Sequence, residues 1–132
     1  MNQGYWREKK GQSLVETAII LPIILILIMG IIDFGLLFNN YILISNAARE
    51  GARNAALGGE DALVVQTVQN MTTALDITKM TITISPGYSS RNHGVGVSVT
   101  VTYKNTMLTP LIDKFFPGGI ATLKSTSMMR VE

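Results

Sequence analysis

A long uncharged stretch near the N-terminus constrains this chain more than any other feature. Residues 14–38 contain two charged side chains, Glu16 and Asp33, and residues 17–32 between them contain none. About 20 apolar residues suffice to cross the ~30 Å hydrocarbon core of a membrane. At about 1.5 Å per residue, a helix from Leu14 to Asp33 is roughly 29 Å long, so the two carboxylates fall near opposite edges of the bilayer. The sequence therefore predicts one transmembrane helix.

A cleaved secretory signal peptide is the alternative interpretation of this segment. Such peptides have a basic start and an apolar core of about 7–15 residues, closely followed by small residues at the cleavage site. Here the apolar run is longer, and the first alanine pair, Ala47-Ala48, comes nine residues after its end at Phe38. We therefore expect the helix to remain on the mature protein.

The charges that flank the helix predict its orientation. Arg7, Lys9 and Lys10 lie just before the helix, and short basic flanks of this kind stay in the cytoplasm. Arg49 and Arg53 follow on the other side, but the opposite orientation would carry the three N-terminal cations across the bilayer. We expect a single-pass plasma (inner) membrane protein with a cytoplasmic N-terminus and an extracytoplasmic C-terminal domain.

Charge and composition argue against several classes of function. The chain has 11 Lys+Arg and 9 Asp+Glu; without residues 1–11 there are eight of each, so the remaining chain has no basic excess for nucleic acid. It has no Cys, which excludes disulfides, zinc-thiolate sites and cysteine nucleophiles. The one histidine, His93, lies in a polar segment, and no Gly-rich phosphate loop follows a strand. We therefore expect no enzymatic activity, no metal or cofactor, and no small-molecule substrate.

Periodicity in the rest of the chain predicts the secondary structure. The first helix continues to about Leu57, where Gly58-Gly59 ends it. A second helix to about Asp76 is indicated by apolar residues at helical spacing, which are Val64, Val68, Met71 and Leu75. Alternating apolar residues then predict three strands, at residues 80–84, 95–103 and 120–131.

These elements predict an α+β fold. A long N-terminal transmembrane helix continues into a small domain with a second helix and a three-stranded antiparallel sheet. The expected division is a cytoplasmic leader at residues 1–11, the transmembrane helix at 12–38 and the extracytoplasmic α+β domain at 39–132. Residues 109–116 are apolar around Pro110 and lie outside the predicted strands.

A short motif precedes the apolar run. A basic pair, Lys9-Lys10, is followed by Gly11, then by four residues and Glu16. This motif resembles the processing site of type IV-like prepilins, in which a membrane-embedded prepilin peptidase cuts after the glycine. A glycine there leaves the backbone accessible. The resemblance implies cleavage after Gly11, a new N-terminus at Gln12, and Glu16 as the fifth residue, paired with the amino group of a neighbouring subunit.

The same residues also fit an interpretation without cleavage. Ser13 and Glu16 have the spacing of a capping box, with Ser13 as the N-cap of a helix and Glu16 at its third position. The two interpretations are compatible, and both stay open from the residues alone.

A second motif follows the apolar run. Small residues recur every four positions and form two ridges that would let another backbone approach closely. The ridges consist of Ala47, Gly51 and Ala55, and of Ala48, Ala52 and Ala56. Arg49 and Arg53 lie one helical turn apart and project together. This surface could pack on its own domain or contact another subunit.

Together these motifs resemble the TadE-like family, pilin-like proteins of the tight-adherence (Tad, or Flp) pilus machinery. The likeness covers residues 9–57 and includes the leader, the spacing of Glu16 and Pro22, Asp33-Phe34-Gly35 and the Ala-Ala-Arg-Glu-Gly-Ala-Arg run. The Thr-rich C-terminal half, poor in charge, departs from it. The resemblance implies a minor pilin or assembly component rather than the main filament subunit. Its partners would be prepilin peptidase, other pilin-like subunits, pilus assembly platform proteins and the lipid bilayer.

An alternative function is a surface-binding module, adhesin-like or sensor-like, on an uncleaved single-pass anchor. Its expected contact is the long polar segment at residues 85–94. This alternative predicts that the leader stays on the protein. It also predicts that Gln can replace Glu16, since either residue completes a capping box.

Overall fold

We describe the protein from a computed structural model, in which residues 4–132 form two α-helices and three strands. The structure describes the backbone of residues 4–132, and the side chains of residues 11–112 and 114–132. The basic side chains of Arg7, Lys9 and Lys10 therefore lie outside the described part. The elements are α1 Gly4–Ala56, α2 Asp61–Met71, β1 Met80–Ser85, β2 Gly96–Thr106 and β3 Ile120–Arg130. The predicted α+β fold is confirmed.

The long helix α1 ends as the paired glycines predict. Gly58 has a φ of +89°, a left-handed conformation that suits a residue without a Cβ. The Gly59 N–H donates to the carbonyl oxygen of Asn54 at 3.0 Å, and the Gly58 N–H to that of Ala55 at 3.2 Å. These two bonds form a Schellman motif, which satisfies carbonyls left over at the end of a helix.

The sheet has the order β1-β2-β3, with β2 in the centre and both pairs antiparallel. Along β2, buried and more exposed residues alternate. The buried set is Val97, Val99, Val101, Tyr103 and Asn105. This face lies against the helices, whereas the other face carries threonines such as Thr100 and Thr126, whose hydroxyl oxygens are 2.9 Å apart. The alternation predicted from the sequence therefore matches the two faces of the sheet.

One hydrophobic core joins both helices to the sheet. The part of α1 after the apolar run contributes Ile44 and the alanines of both ridges, α2 contributes Val64 and Val68, and β2 contributes its valines. Small residues on α1 let the sheet and α2 lie close to the helix backbone, so packing alone can hold a small domain without disulfides.

The second helix is shorter than predicted. It ends at Met71 and not near Asp76, because the Thr72 N–H donates to the carbonyl oxygen of Gln69 at 3.2 Å and not to that of Val68, which accepts the hydroxyl of buried Thr72 at 2.8 Å. Val64 and Val68 are buried as expected, but Met71 is 41% exposed. Leu75 still packs against the core from outside the helix.

The cap considered at Ser13 is absent, and a cap that the sequence did not predict occurs at Asp76. Ser13 is not an N-cap, because α1 already begins at Gly4 and runs through Ser13 without a break. Asp76, in contrast, caps a short 3₁₀ turn before β1 and accepts hydrogen bonds from the hydroxyl and the backbone N–H of Thr78. These bonds lower the pKa of Asp76 below its usual value, the bond from the hydroxyl having the larger effect.

Candidate functional site

The N-terminal half of α1 carries an exposed apolar surface. Within residues 4–132, α1 is the one helix long and apolar enough to cross a membrane. Its large side chains from Leu14 to Met29 are all exposed, the least of them 38%. A surface of this size on one helix fits a single-pass membrane protein, in which lipid or neighbouring helices cover it.

The predicted processing residues lie together at the start of this surface. Gly11, Gln12 and Glu16 are exposed and occupy little more than one turn of α1. A Cβ added at Gly11 would meet no atom within 4 Å. Among the described side chains, none forms an ion pair with Glu16. The peptide bond after Gly11 lies within α1.

The second charge of the apolar segment, Asp33, is buried. It is 2% exposed, although its neighbours Ile32 and Phe34 are about half exposed. One carboxylate oxygen, Oδ1, accepts the backbone N–H of Leu108 at 3.0 Å, and Oδ2 accepts that of Thr109 at 2.8 Å. A charged carboxylate at the edge of a membrane is costly unless it is hydrogen-bonded, and these two backbone N–H groups supply the hydrogen bonds.

The donors belong to the segment between β2 and β3, residues 107–119, which we call the β2–β3 loop. This loop folds back along α1, and Ile112 lies over Gly30, where an added Cβ would be 3.2 Å from Ile112 Cδ1. The groove around Ile112 is apolar and lined on α1 by Ile23, Ile26, Leu27, Ile31 and Phe34. The loop thus connects the sheet to the membrane segment.

Two polar contacts extend this connection along α1. Asn40 Nδ2 donates to Asn105 Oδ1 at 2.8 Å, and Ser45 Oγ donates to Ser125 Oγ at 3.0 Å. No local sequence pattern indicates these contacts, since their partners are 65 and 80 residues apart. The sequence does indicate that Asp33 has some partner, because a charge within an apolar helix requires one.

The small-residue ridges lie inside the domain. Ala47, Ala48 and Ala52 are 0% exposed, and a Cβ added at Gly51 would lie 2.8 Å from Cγ2 of Val68. The chain's own α2 and sheet therefore cover these four residues, and they present no surface to another subunit. Of the two arrangements left open by the sequence, packing on the same domain is the one present.

The two arginines between the ridges remain on the surface. Arg49 is exposed, and the side chain of Arg53 is 66% exposed with its Nη1 3.9 Å from Oε2 of Glu50. Exposed pairs at this distance contribute little to stability. Arg49 and Arg53 are therefore the members of this motif that another protein could contact.

The polar segment at residues 85–94 is fixed to the domain by Arg91. The Arg91 side chain is 3% exposed and donates to the carbonyl oxygens of Gly59 at 2.6 Å and Pro86 at 3.2 Å. It also pairs with the Asp61 carboxylate, whose Oδ2 accepts the Tyr88 N–H at 3.1 Å. The guanidinium lies 5.8 Å from the centre of the Tyr88 ring. Asp61 thus holds the segment at residues 85–94 in place, and it is also the first residue of α2.

The described side chains offer little for metal chemistry. Among residues 11–112 and 114–132, no three His, Asp or Glu side chains lie close enough together to hold a metal ion. His93 is exposed in the segment that Arg91 holds.

Comparison with known proteins identifies one relationship. No curated protein and no solved structure gave a significant match to the chain. A family model described as TadE-like protein matches residues 11–53, which run from Gly11 to the end of the Ala-Ala-Arg-Glu-Gly-Ala-Arg run. The match confirms the resemblance found in the sequence and relates residues 11–53 of this chain to the TadE-like family of the Tad pilus machinery.

Proposed function

We propose that this protein is a minor pilin-like subunit or assembly component of a Tad pilus, cut by a prepilin peptidase after Gly11. The match of residues 11–53 to the TadE-like family carries this proposal. The exposure of Gly11, Gln12 and Glu16 on α1 supports it. The protein acts by assembling with other proteins and not by catalysing a reaction.

Membrane insertion precedes assembly in this proposal. The basic N-terminus stays in the cytoplasm and the α+β domain is extracytoplasmic. The peptidase then removes residues 1–11, and α1 begins at Gln12. Because the positive end of the helix dipole moves to Gln12, the Glu16 carboxylate comes to lie near it and is stabilised there.

The new amino group gives Glu16 a charged partner. Within one chain, Gln12 and Glu16 are one helical turn apart. By resemblance to prepilins, the partner of the Glu16 carboxylate is the amino group of a neighbouring subunit. In a low-dielectric membrane such a pair is far stronger than in water. The exposed apolar surface of α1 would supply the remaining contact with pilin-like subunits and assembly platform proteins.

N-terminal sequencing of the membrane-extracted protein tests the processing step. We expect a start at Gln12 in cells with their own prepilin peptidase, and a start at Met1 when that peptidase is deleted. A start at Met1 in both strains would contradict the proposal. It would favour an uncleaved anchor with a binding domain.

The variant Glu16→Gln tests the charge pairing. We expect strongly reduced piliation, because a neutral amide does not form an ion pair with the amino group. Glu60→Gln is the matched control, since Glu60 is exposed outside the apolar segment and its side chain makes no capping hydrogen bond. Normal piliation of Glu16→Gln would contradict the pairing while leaving the cleavage untouched.

A further inference from the structure

We propose that the β2–β3 loop enters the outer interface of the lipid bilayer beside α1, so that the protein contacts the membrane through a helix and a loop. The inference requires that α1 spans the membrane, as the proposed function also does. It concerns a different segment, residues 107–119, to which the processing motif and the family match do not extend.

The contacts between the loop and α1 define its depth. At the end of β2, just before the loop, Asn105 bonds Asn40 of α1. Further along the loop, Leu108 and Thr109 bond Asp33. Ile112 then lies over Gly30. Gly30 is ten residues before Asn40, or about 15 Å along the helix toward the membrane centre. With Asp33 at the outer edge of the bilayer, the tip of the loop lies at or below that edge.

The side chains of the loop suit a lipid interface. Leu108, Leu111 and Phe115 are exposed by 64%, 48% and 84%. Such exposure of large apolar groups is unfavourable in water but favourable among acyl chains. Lys114 is exposed beside Phe115, and a lysine next to an aromatic residue is typical of the headgroup region, where the charge reaches water.

The backbone of the loop is also suited to this environment. Irregular backbone that faces lipid is excluded from the hydrocarbon core, so the loop stays at the interface, where water reaches any polar group that the protein leaves unpaired. The N–H groups of Leu108 and Thr109 bond Asp33, and Pro110 has none to pair. The N–H of Ile112 donates to the carbonyl oxygen of Thr109 at 3.1 Å, and that of Phe115 to Ile112 at 3.0 Å.

Lipid is the partner that these observations favour. The exposed side chains of the loop continue the apolar surface of α1 at the depth where that surface is in the bilayer. The groove around Ile112 lies on the turns of α1 from Ile23 to Phe34. A protein partner would have to displace lipid from the exposed side chains of the loop and from this groove.

Single-cysteine labelling of the full chain tests the proposal, because the chain has no Cys of its own. Three variants are labelled with an environment-sensitive fluorophore in vesicles of phosphatidylcholine and phosphatidylglycerol at low protein density. Phe115→Cys reports the loop, Leu25→Cys reports the membrane helix, and Met128→Cys reports the outward face of β3. Leu25 and Met128 are 52% and 71% exposed, so each label replaces a surface side chain.

Two quenchers locate each label, a nitroxide on the lipid acyl chain and iodide in the water. We expect the Phe115 label to be quenched by the nitroxide, unlike the Met128 label, and several-fold less by iodide than the Met128 label. If the Phe115 label responds like the Met128 label while the Leu25 label is quenched by lipid, the loop lies in water and the inference is wrong. A Phe115 label shielded from both quenchers would indicate a protein contact and would also overturn it. If the Leu25 label itself is quenched by iodide, the membrane anchoring fails as well.

Discussion

Gly51 fixes how closely α1 approaches the rest of the domain. It lies on a buried turn of the helix, and a Cβ at this position would be 2.8 Å from Val68 Cγ2 and 3.3 Å from Val99 Cγ1. Valine side chains have little freedom to move aside, because they are branched at Cβ. The position therefore tolerates no larger residue without a shift of α2 or the sheet.

The variant Gly51→Ala should destabilise the domain. Overpacking a core typically costs about 1–3 kcal/mol, which exceeds the roughly 0.5–1 kcal/mol gained when alanine replaces a helical glycine. Denaturant unfolding in detergent measures the change. Gly35→Ala is the matched control on the same helix, because an added Cβ there meets nothing within 4 Å and should cost no stability. Equal stabilities of the two variants would contradict this account of the packing.

Asp33 should control the opening of the β2–β3 loop. In Asp33→Ala the N–H groups of Leu108 and Thr109 lose their acceptor, and an unpaired buried donor costs about 1–3 kcal/mol. A cost of about 1.4 kcal/mol corresponds to a tenfold change in the opening equilibrium, so these two amides should exchange hydrogen roughly tenfold faster or more.

Asp33→Asn serves as the graded comparison for this measurement. Its amide has one carbonyl oxygen, which can accept from one of the two N–H groups, so exchange should be intermediate. Glu50→Gln, at the exposed pair with Arg53, should leave exchange at Leu108 and Thr109 unchanged. Unchanged exchange in Asp33→Ala would show that other contacts hold the loop.

Among the elements, the segment at residues 85–94 depends most on a single side chain. Arg91→Ala removes a nearly buried guanidinium that joins Gly59, Pro86 and Asp61. Hydrogen bonds that involve a charge contribute about 1.5–3 kcal/mol, but the Asp61 side chain is 44% exposed and its share is screened. We expect a loss of about 2 kcal/mol in the free energy of unfolding.

Two variants make the Arg91 measurement specific. Arg91→Lys should restore little, because one ammonium group cannot span three acceptors as the planar guanidinium does. Arg53→Ala removes a 66% exposed arginine and should change stability by less than about 1 kcal/mol. If Arg91→Ala is as stable as Arg53→Ala, the segment is held by other contacts.

The elements themselves were largely predictable, whereas their contacts were not. Periodicity located both helices and three strands, since one face of each element is buried and the pattern records that face. The end of α2 was predicted too far along the chain, because the Thr72 N–H bonds Gln69 and leaves the helical pattern, which no apolar periodicity reveals. The partners of Asp33 lie 75 and 76 residues away, and the sequence does not indicate which backbone amides would reach it.

The membrane helix and the outer domain share one core. Six of its thirteen buried residues belong to the last part of α1, which are Ile44, Ala47, Ala48, Ala52, Ala55 and Ala56. The domain division at residues 38 and 39, which stays a prediction, separates these residues from the membrane segment. It also separates Asp33 from the loop that Asp33 holds.

Two shortened chains should therefore differ sharply. A chain of residues 39–132 keeps every core residue and should fold cooperatively in water, but without Asp33 its β2–β3 loop should exchange hydrogen rapidly at Leu108 and Thr109. A chain of residues 59–132 lacks the α1 side of the core and leaves one face of the sheet uncovered. It keeps α2, but α2 supplies two of the core residues and has lost the surface of α1 on which it packs. A sheet whose apolar face has lost its main covering helix is not stable in water, so this chain should be unfolded or aggregated.

Circular dichroism, thermal unfolding and amide exchange distinguish these outcomes. The comparison with the full chain in detergent isolates the effect of the membrane segment, because the core is the same in both. Rapid exchange confined to the loop of the 39–132 chain would mean that the membrane segment orients the domain without stabilising its core. Rapid exchange throughout the domain of the 39–132 chain would mean that the Asp33 contact contributes to the stability of the core. Cooperative folding of the 59–132 chain would contradict the shared core, since the valines of β2 would then be stable without the alanines that cover them.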